Sequence, residues 1–277
     1  MLKTCQTLHL CQSLLLATPK SLGLTVRLSK KHSNKMESSK PTLLFIHGFR
    51  GSPLGLAKLT GFLSDSFDIH TPSIPPFGDS LPLVEYSPNS YANFIADYIK
   101  ANHLDKPILI GHSMGSIIAS ATAEKFPELI NDKLILVSPI PAKTAKYIAN
   151  TQPLVTILPN KALSRITTQF LFVPRRSFSL YKETLNTTIL CGKTQNDKHD
   201  VLLAANFSAN NSIADFNFKK HTLLIAGEKD RLVRKRATIA LANRNNFSLK
   251  FIPNTGHLVN YENPKAVADL IREFSTQ

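Results

Sequence analysis

The chain has 277 residues, of which 43% are hydrophobic, and carries a formal net charge of +14 at pH 7. This length and composition allow one large α/β domain, or two small ones, with a sizeable buried core. No segment reaches the roughly 18 to 20 unbroken apolar residues of a membrane-spanning helix, which argues against an integral membrane protein.

The positive charge is concentrated in two segments. Residues 1–36 contain six Lys or Arg and no acid, and residues 139–220 contain eleven basic and four acidic residues. Nucleic-acid binding usually requires a stripe of Lys and Arg that is interleaved with aromatic residues or helices that recognise nucleobases. The sequence has no such pattern, so we expect no nucleic-acid partner. The two segments are either solvated surfaces or, for the second, a surface that attracts acidic substrates or an anionic membrane, so peripheral membrane contact stays open.

The three cysteines, Cys5, Cys11 and Cys191, are too few for a disulfide framework. This cysteine usage indicates a reducing compartment, and we expect a cytoplasmic protein. The cysteines have no C-x-x-C spacing, and the nine histidines form no H-E-x-x-H or comparable cluster. We therefore predict no metal site.

The first 36 residues form a basic leader that is rich in Ser, Thr and Lys and has a single arginine, Arg27. Its composition loosely suits an organellar targeting segment. Two alternatives stay open: translation that starts at Met36, and an early edge strand at Leu22–Leu28. We expect the leader to be disordered or dispensable.

From residue 42 onward, short apolar runs alternate with amphipathic stretches of helix length. Continuous apolar character is typical of strands that are buried on both faces of a parallel sheet. The alternation predicts a doubly wound α/β architecture, with a mostly parallel central sheet flanked by helices. The predicted strands are Thr42–Ile46, Phe67–His70, Pro107–Ile110, Leu134–Val137, Thr222–Ala226 and Ser248–Ile252, and the predicted helices are Leu54–Leu63, Ser90–Asn102, Met114–Phe126, Arg234–Asn243 and Pro264–Phe274.

The interval between the fourth and fifth long apolar runs breaks this alternation. It contains scattered prolines and mixed helical patches, and it is about 80 residues long, which is too long for an ordinary connection. We therefore predict that residues 139–219 are an inserted helical cap or lid, and that residues 37–138 and 220–277 form the core domain.

The stretch GHSMGS, residues 111–116, joins a predicted strand to a predicted helix. Its G-x-S-x-G pattern is that of a nucleophile elbow, a sharp turn that holds a serine hydroxyl above the sheet edge. Gly111 and Gly115 let strand and helix approach where a Cβ atom would collide. The helix N-terminus adds amide hydrogens and positive potential beside Ser113. The motif predicts a nucleophilic serine.

The order of motifs along the chain resembles that of the α/β-hydrolase superfamily, from about Thr42 to the C-terminus. The strand "LLFIHGF" ends in an H-G motif, and "LLIAGEKDRLV" and "FIPNTGHLVNYENP" follow the elbow. The resemblance implies the α/β-hydrolase fold, with Ser113 as nucleophile, His257 as general base and Asp230 as the acid that orients the imidazole. Glu228, two residues earlier, is the alternative acid.

The resemblance also implies the residues around this triad. The backbone N–H groups of Phe49 and Met114 would form an oxyanion hole. His47, Gly48, His112 and Phe77 are candidates for the substrate pocket. His47 and His112 flank the site, and the alternative is that they only pack or form hydrogen bonds. Phe77 lies in a loop that resembles one following the family's fourth strand, and this loop either lines the pocket or only turns the chain.

The reaction that this arrangement implies is acyl transfer to water by a serine hydrolase of the carboxylesterase or lipase type, acting on a small-molecule ester or acyl substrate without a cofactor. A carbon–carbon bond or amide hydrolase of the same family, and a non-catalytic receptor or scaffold on this fold, are the alternatives. Arg175 and Arg176 are candidates to bind a substrate carboxylate. The natural substrate and the oligomeric state stay open.

Overall fold

Six strands form one sheet in which every neighbouring pair is parallel. The computed structural model describes residues 40–141, 157–172, 178–193 and 197–277. The predicted leader, residues 1–36, and Arg175 and Arg176 lie outside the described residues. The strands are β1 Thr42–Ile46, β2 Asp68–His70, β3 Ile108–His112, β4 Lys133–Val137, β5 His221–Gly227 and β6 Ser248–Ile252. Their order across the sheet is β2-β1-β3-β4-β5-β6.

Helices cover both faces of the sheet. The five longer helices that do so are α1 Pro53–Gly61, α2 Pro88–Ala101, α3 Met114–Lys125, α7 Lys235–Asn245 and α9 Pro264–Thr276. One hydrophobic cluster packs α2, α3 and α7 on one face, and a second packs α1 and α9 on the other. Strands β1 and β3 are buried along almost their whole length, as their continuous apolar sequences predict. A short helix, α8, spans Val259–Glu262.

Three further α-helices lie between β4 and β5 among the described residues: α4 Asn160–Leu171, α5 Phe178–Cys191 and α6 Lys198–Asn210. A short 3-10 helix, Ile213–Asp215, follows them. We call the three α-helices the insertion helices. They agree with the predicted helical character of this interval, of which residues 142–156, 173–177 and 194–196 lie outside the described residues. The boundaries 139 and 219 of a separate cap stay a prediction.

The predicted architecture is confirmed, and the differences concern the ends of elements and one short helix. Strand β3 continues two residues beyond the predicted Ile110, because Gly111 and His112 still pair with β4. Helix α8 was not predicted, since four residues are too few to show a helical period. Within the described residues, no helix combines the length and apolar character needed to cross a membrane.

Candidate active site

The elbow places Ser113 between β3 and α3 in a strained conformation, with φ 53° and ψ −117°. Its backbone N–H donates to the Val137 carbonyl at 3.0 Å, which ties the turn to β4. A Cβ on Gly111 would overlap the Gly115 carbonyl, and one on Gly115 would overlap the carbonyl of Ile46. Only glycine therefore allows α3 to start this close to β1 and β3.

Ser113, His257 and Asp230 are brought together from three loops at the carboxyl end of the sheet. The distance from Ser113 Oγ to His257 Nε2 is 2.9 Å, and that from His257 Nδ1 to Asp230 Oδ2 is 2.8 Å. The backbone N–H groups of Leu232 and Val233 donate to Asp230 Oδ1 at 2.8 and 2.9 Å. With Nδ1–H donating to the carboxylate, Nε2 is left to accept the serine proton.

Asp230 is held as a carboxylate. Burial by itself would raise its pKa, but the neighbouring His257 and the hydrogen bonds from His257, Val233 and Leu232 outweigh burial and lower the pKa below its ordinary value. The carboxylate is therefore charged at neutral pH and can stabilise an imidazolium on His257.

Glu228, the alternative acid, does not contact His257. Its side chain is half exposed and lies 3.4 Å from Lys235 Nζ. The structure therefore brings Asp230, and not Glu228, to the histidine.

The backbone of His257 is held by three other elements. Its N–H donates to the Leu171 carbonyl at the end of insertion helix α4, at 3.0 Å. Its carbonyl accepts from Ser138 Oγ at 2.9 Å and from His112 Nε2 at 3.2 Å. Ser138 and Leu171 were not singled out in the sequence, because their contacts with His257 span 119 and 86 positions of the chain, with no local motif to show them.

The two backbone amides of the predicted oxyanion hole lie beside the serine. A Cβ on Gly48 would lie 3.1 Å from Ser113 Cβ, so the loop after β1 runs directly past Ser113. Met114 is the first residue of α3, and its N–H has no partner within the helix. Among the described residues, neither Phe49 N–H nor Met114 N–H has a hydrogen-bond acceptor, and both residues line the cavity described below.

His47 and His112 are buried and neutral. Burial lowers the pKa of His47 to about 4 and that of His112 to about 3, where proximity to His257 adds to the effect. His47 Nε2 accepts from the N–H of Ile74 at 2.9 Å, and its Nδ1 lies 2.9 Å from the Gly48 carbonyl. Both histidines line the cavity, and both also hold backbone segments in place.

Phe77 requires a correction, because it does not lie on the cavity wall. It is fully buried and packs edge-on against Phe49, with 5.3 Å between ring centroids. Phe49 lines the cavity, so Phe77 supports the wall from behind. The local loop pattern in the sequence does not distinguish these two positions.

A cavity of about 400 Å³ opens above Ser113 and His257. Its floor is formed by the loops after β1 and β3, and apolar side chains dominate its upper wall. No group of three or more His, Cys, Asp or Glu that could hold a metal ion is found in the described part of the chain. From the insertion helices, the wall includes Leu163, Ile166, Phe170 and Leu171 of α4, Thr188 of α5 and Ala205 of α6.

The parallel sheet, the strained serine and the His–Asp pair together define the α/β-hydrolase class. The chain belongs to the alpha/beta hydrolase family, whose model matches residues 43–270. It is similar to the uncharacterized hydrolase YugF of Bacillus subtilis (strain 168), with 26% identity over 255 residues that cover 85% of this chain and 90% of the relative.

Two solved structures share the fold. A thermophilic esterase from Thermogutta terrifontis has a TM-score of 0.72 at 20% identity, covering 86% of this chain and 90% of that one. The esterase EaEST from Exiguobacterium antarcticum has a TM-score of 0.76 at 15% identity, covering 86% of this chain and 93% of that one. At these identities the likeness shows the fold alone.

Proposed function

We propose that the protein is a serine hydrolase that cleaves a carboxylic ester, or a related acyl bond, of a small molecule. One observation carries the proposal: Ser113 Oγ lies 2.9 Å from His257 Nε2, and His257 Nδ1 lies 2.8 Å from Asp230 Oδ2. A serine hydroxyl is a weak nucleophile at neutral pH, and an adjacent base that is itself oriented by an acid removes this limit.

In the first half of the reaction, Ser113 Oγ attacks the carbonyl carbon while its proton passes to His257 Nε2. Asp230 stabilises the imidazolium that forms. The oxyanion accepts hydrogen bonds from the N–H groups of Phe49 and Met114, which together stabilise the tetrahedral intermediate by several kcal/mol because they need no reorganisation as charge develops. The intermediate collapses as His257 gives its proton to the leaving alcohol.

In the second half, a water molecule attacks the acyl-enzyme. His257 takes the water proton and then returns it to Ser113 Oγ, which restores the free enzyme. These steps use only side chains and backbone amides of this chain, so they require no cofactor.

The insertion helices act as a cap in this proposal. They supply an apolar wall above the serine, which supports binding of an acyl group and exclusion of water from the acyl-enzyme. Family membership supports a hydrolase, and we propose an ester because a serine beside a histidine base is suited to acyl transfer. Amide and carbon–carbon bond hydrolysis pass through similar tetrahedral intermediates and are the alternatives.

A fluorophosphonate probe tests the proposal. Intact mass spectrometry of the wild-type chain should show one covalent adduct, and Ser113→Ala should show none. Turnover of p-nitrophenyl esters of increasing acyl length should be lost in the same variant, and its chain-length profile would define the acyl subsite. A folded wild-type sample that is neither labelled nor active would contradict the proposal and favour a receptor or scaffold.

A further inference from the structure

Arg50 brings a positive charge to the wall of the cavity. It is partly buried, has a positive φ of 56°, and directly follows Phe49 in the chain. Of the described residues that line the cavity, it is the only Lys, Arg, Asp or Glu. Apart from the histidines, the cation is therefore the one ionisable side chain among those lining residues that carries a formal charge.

The hydrogen bonds of Arg50 leave most of the guanidinium unused. Its Nη2 donates to the side-chain oxygen of Asn160, to Ser164 Oγ at 3.1 Å and to the Asn160 carbonyl at 3.4 Å. All three acceptors are uncharged oxygens of insertion helix α4. Within the described residues, no carboxylate lies within 4.0 Å of the guanidinium, and neither Nη1 nor Nε has a partner.

A partly buried cation without an anion is costly, and the fold offsets only part of this cost. Burial lowers the pKa of Arg50 to about 10, so the side chain is still charged at neutral pH. Gly192, just beyond the C-terminus of α5, makes room for it, since a Cβ there would lie 2.5 Å from Nη2. The negative end of the α5 dipole is thus close, but it is weaker than a full counter-charge.

We propose that Arg50 binds an anionic group, a carboxylate or a phosphate, on the substrate of the hydrolysis. This inference rests on the proposed function and narrows its substrate class to negatively charged esters. The planar guanidinium matches both anions, and its free N–H groups can donate to them in pairs. An anion in the cavity would supply the counter-charge that the described residues lack.

The test compares charged and neutral esters of matched size. One pair carries the charge on the acyl side: 4-nitrophenyl hydrogen glutarate and its methyl-capped diester. Two charged esters carry the charge on the alcohol side. 4-Acetoxybenzoate is compared with its methyl ester, and 4-acetoxyphenyl phosphate is compared with its neutral dimethyl ester. We expect kcat/KM of the wild-type protein to favour the charged member of at least one comparison by about 10-fold or more.

Arg50→Gln should lower this charged-to-neutral ratio by about 10-fold or more, and Arg50→Lys should retain part of it. The matched control is Arg165→Gln, which should leave the ratio unchanged. Arg165 is an exposed arginine on insertion helix α4, the helix that supplies the acceptors of Arg50. A wild-type ratio near one would overturn the inference. So would a ratio that Arg50→Gln does not lower, because a residue that only ties α4 to the core affects both esters alike. Equal losses in both variants would mean that general surface charge attracts the anion.

Binding separates this inference from the proposed function. Calorimetric titration of the charged ester into Ser113→Ala needs no turnover, and adding Arg50→Gln should weaken that binding by about 10-fold or more. If hydrolysis fails but this difference is present, the proposed reaction is wrong and the anion site stands. If neutral esters are hydrolysed and the difference is absent, the anion site is wrong.

Discussion

His257 takes part in hydrogen bonds through both ring nitrogens and both backbone polar groups. The ring joins Ser113 and Asp230, and the backbone joins Leu171, Ser138 and His112. Since these partners lie on different loops and helices, the imidazole has little freedom to rotate or shift. If His257 is the base, as proposed, this preorganisation holds it within reach of Ser113 before the reaction begins.

Replacing Asp230 by Asn tests the orienting acid. The amide would no longer stabilise the imidazolium and would favour the wrong tautomer of His257, so kcat should fall by about 10⁴-fold, as in comparable triads. The measurement is steady-state hydrolysis of p-nitrophenyl acetate by protein whose folding is verified by circular dichroism.

Glu228→Gln is the matched control for this variant. Glu228 is half exposed and pairs with Lys235 away from the histidine, so kcat should change by less than about threefold. If Glu228→Gln causes the large loss and Asp230→Asn does not, the assignment of the acid is wrong.

At the scale of elements, the site depends on how closely helix α3 approaches the sheet. Gly115 lies against the carbonyl of Ile46 in β1, and Gly111 lies against Gly115 itself. These contacts hold the N-terminus of α3 next to Ser113, where its free amides and positive potential would act on the oxyanion of the proposed reaction.

Gly115→Ala should therefore destabilise the fold and distort the elbow. The added methyl group would overlap the Ile46 carbonyl, a backbone atom that cannot move alone, so the free energy of unfolding should fall by about 1 to 3 kcal/mol. Urea unfolding followed by circular dichroism measures this change.

Gly61→Ala is the matched control, a glycine that has open space for an added methyl group. A Cβ on Gly61, the last residue of α1, meets no atom within 4 Å. Alanine has the higher helix propensity, so this variant should be unchanged in stability or more stable by up to about 1 kcal/mol. Equal losses in both variants would mean that the close approach at Gly115 is not what requires a glycine.

The insertion helices contribute to the site as well as covering it. Helix α4 provides the Leu171 carbonyl for the His257 N–H and the oxygens that accept from Arg50. A movement of α4 would thus shift both His257 and the loop after β1 that carries Arg50. In the proposed reaction, the insertion would therefore help to position the reacting groups.

At the scale of the whole molecule, the buried histidines link stability to pH. His47 and His112 have pKa values of about 4 and about 3 in the folded protein, below the ordinary 6.5 that applies when the chain unfolds. Between these values the unfolded chain binds more protons than the folded one, so stability falls as pH drops below about 6.5.

We expect the free energy of unfolding to fall by about 2 kcal/mol for each of these histidines between pH 7 and pH 5. Urea unfolding at a series of pH values measures the slope. His112→Asn removes one of the two groups and should make the slope shallower by up to about 1.4 kcal/mol per pH unit. A slope equal to that of the wild-type protein would show that His112 does not stay neutral in the fold.

The sequence by itself determined the features that depend on neighbouring residues. Continuous apolar runs such as Thr42–Ile46 are typical of strands in a sheet that is covered on both faces, and the elbow needs glycines at fixed spacing around Ser113. The chain order of Ser113, Asp230 and His257 was expected from the resemblance of three short motifs to those of the α/β-hydrolase superfamily.

Only the tertiary structure decided which distant groups meet. The guanidinium of Arg50 reaches Asn160 across 110 positions, and the loop pattern around Phe77 gave no sign that this ring lies behind Phe49. A strand or a turn arises from local backbone preferences, whereas such contacts depend on how helices pack on the sheet. Packing joins residues that share no sequence pattern, and this is why the charge in the cavity wall became apparent only in the folded chain.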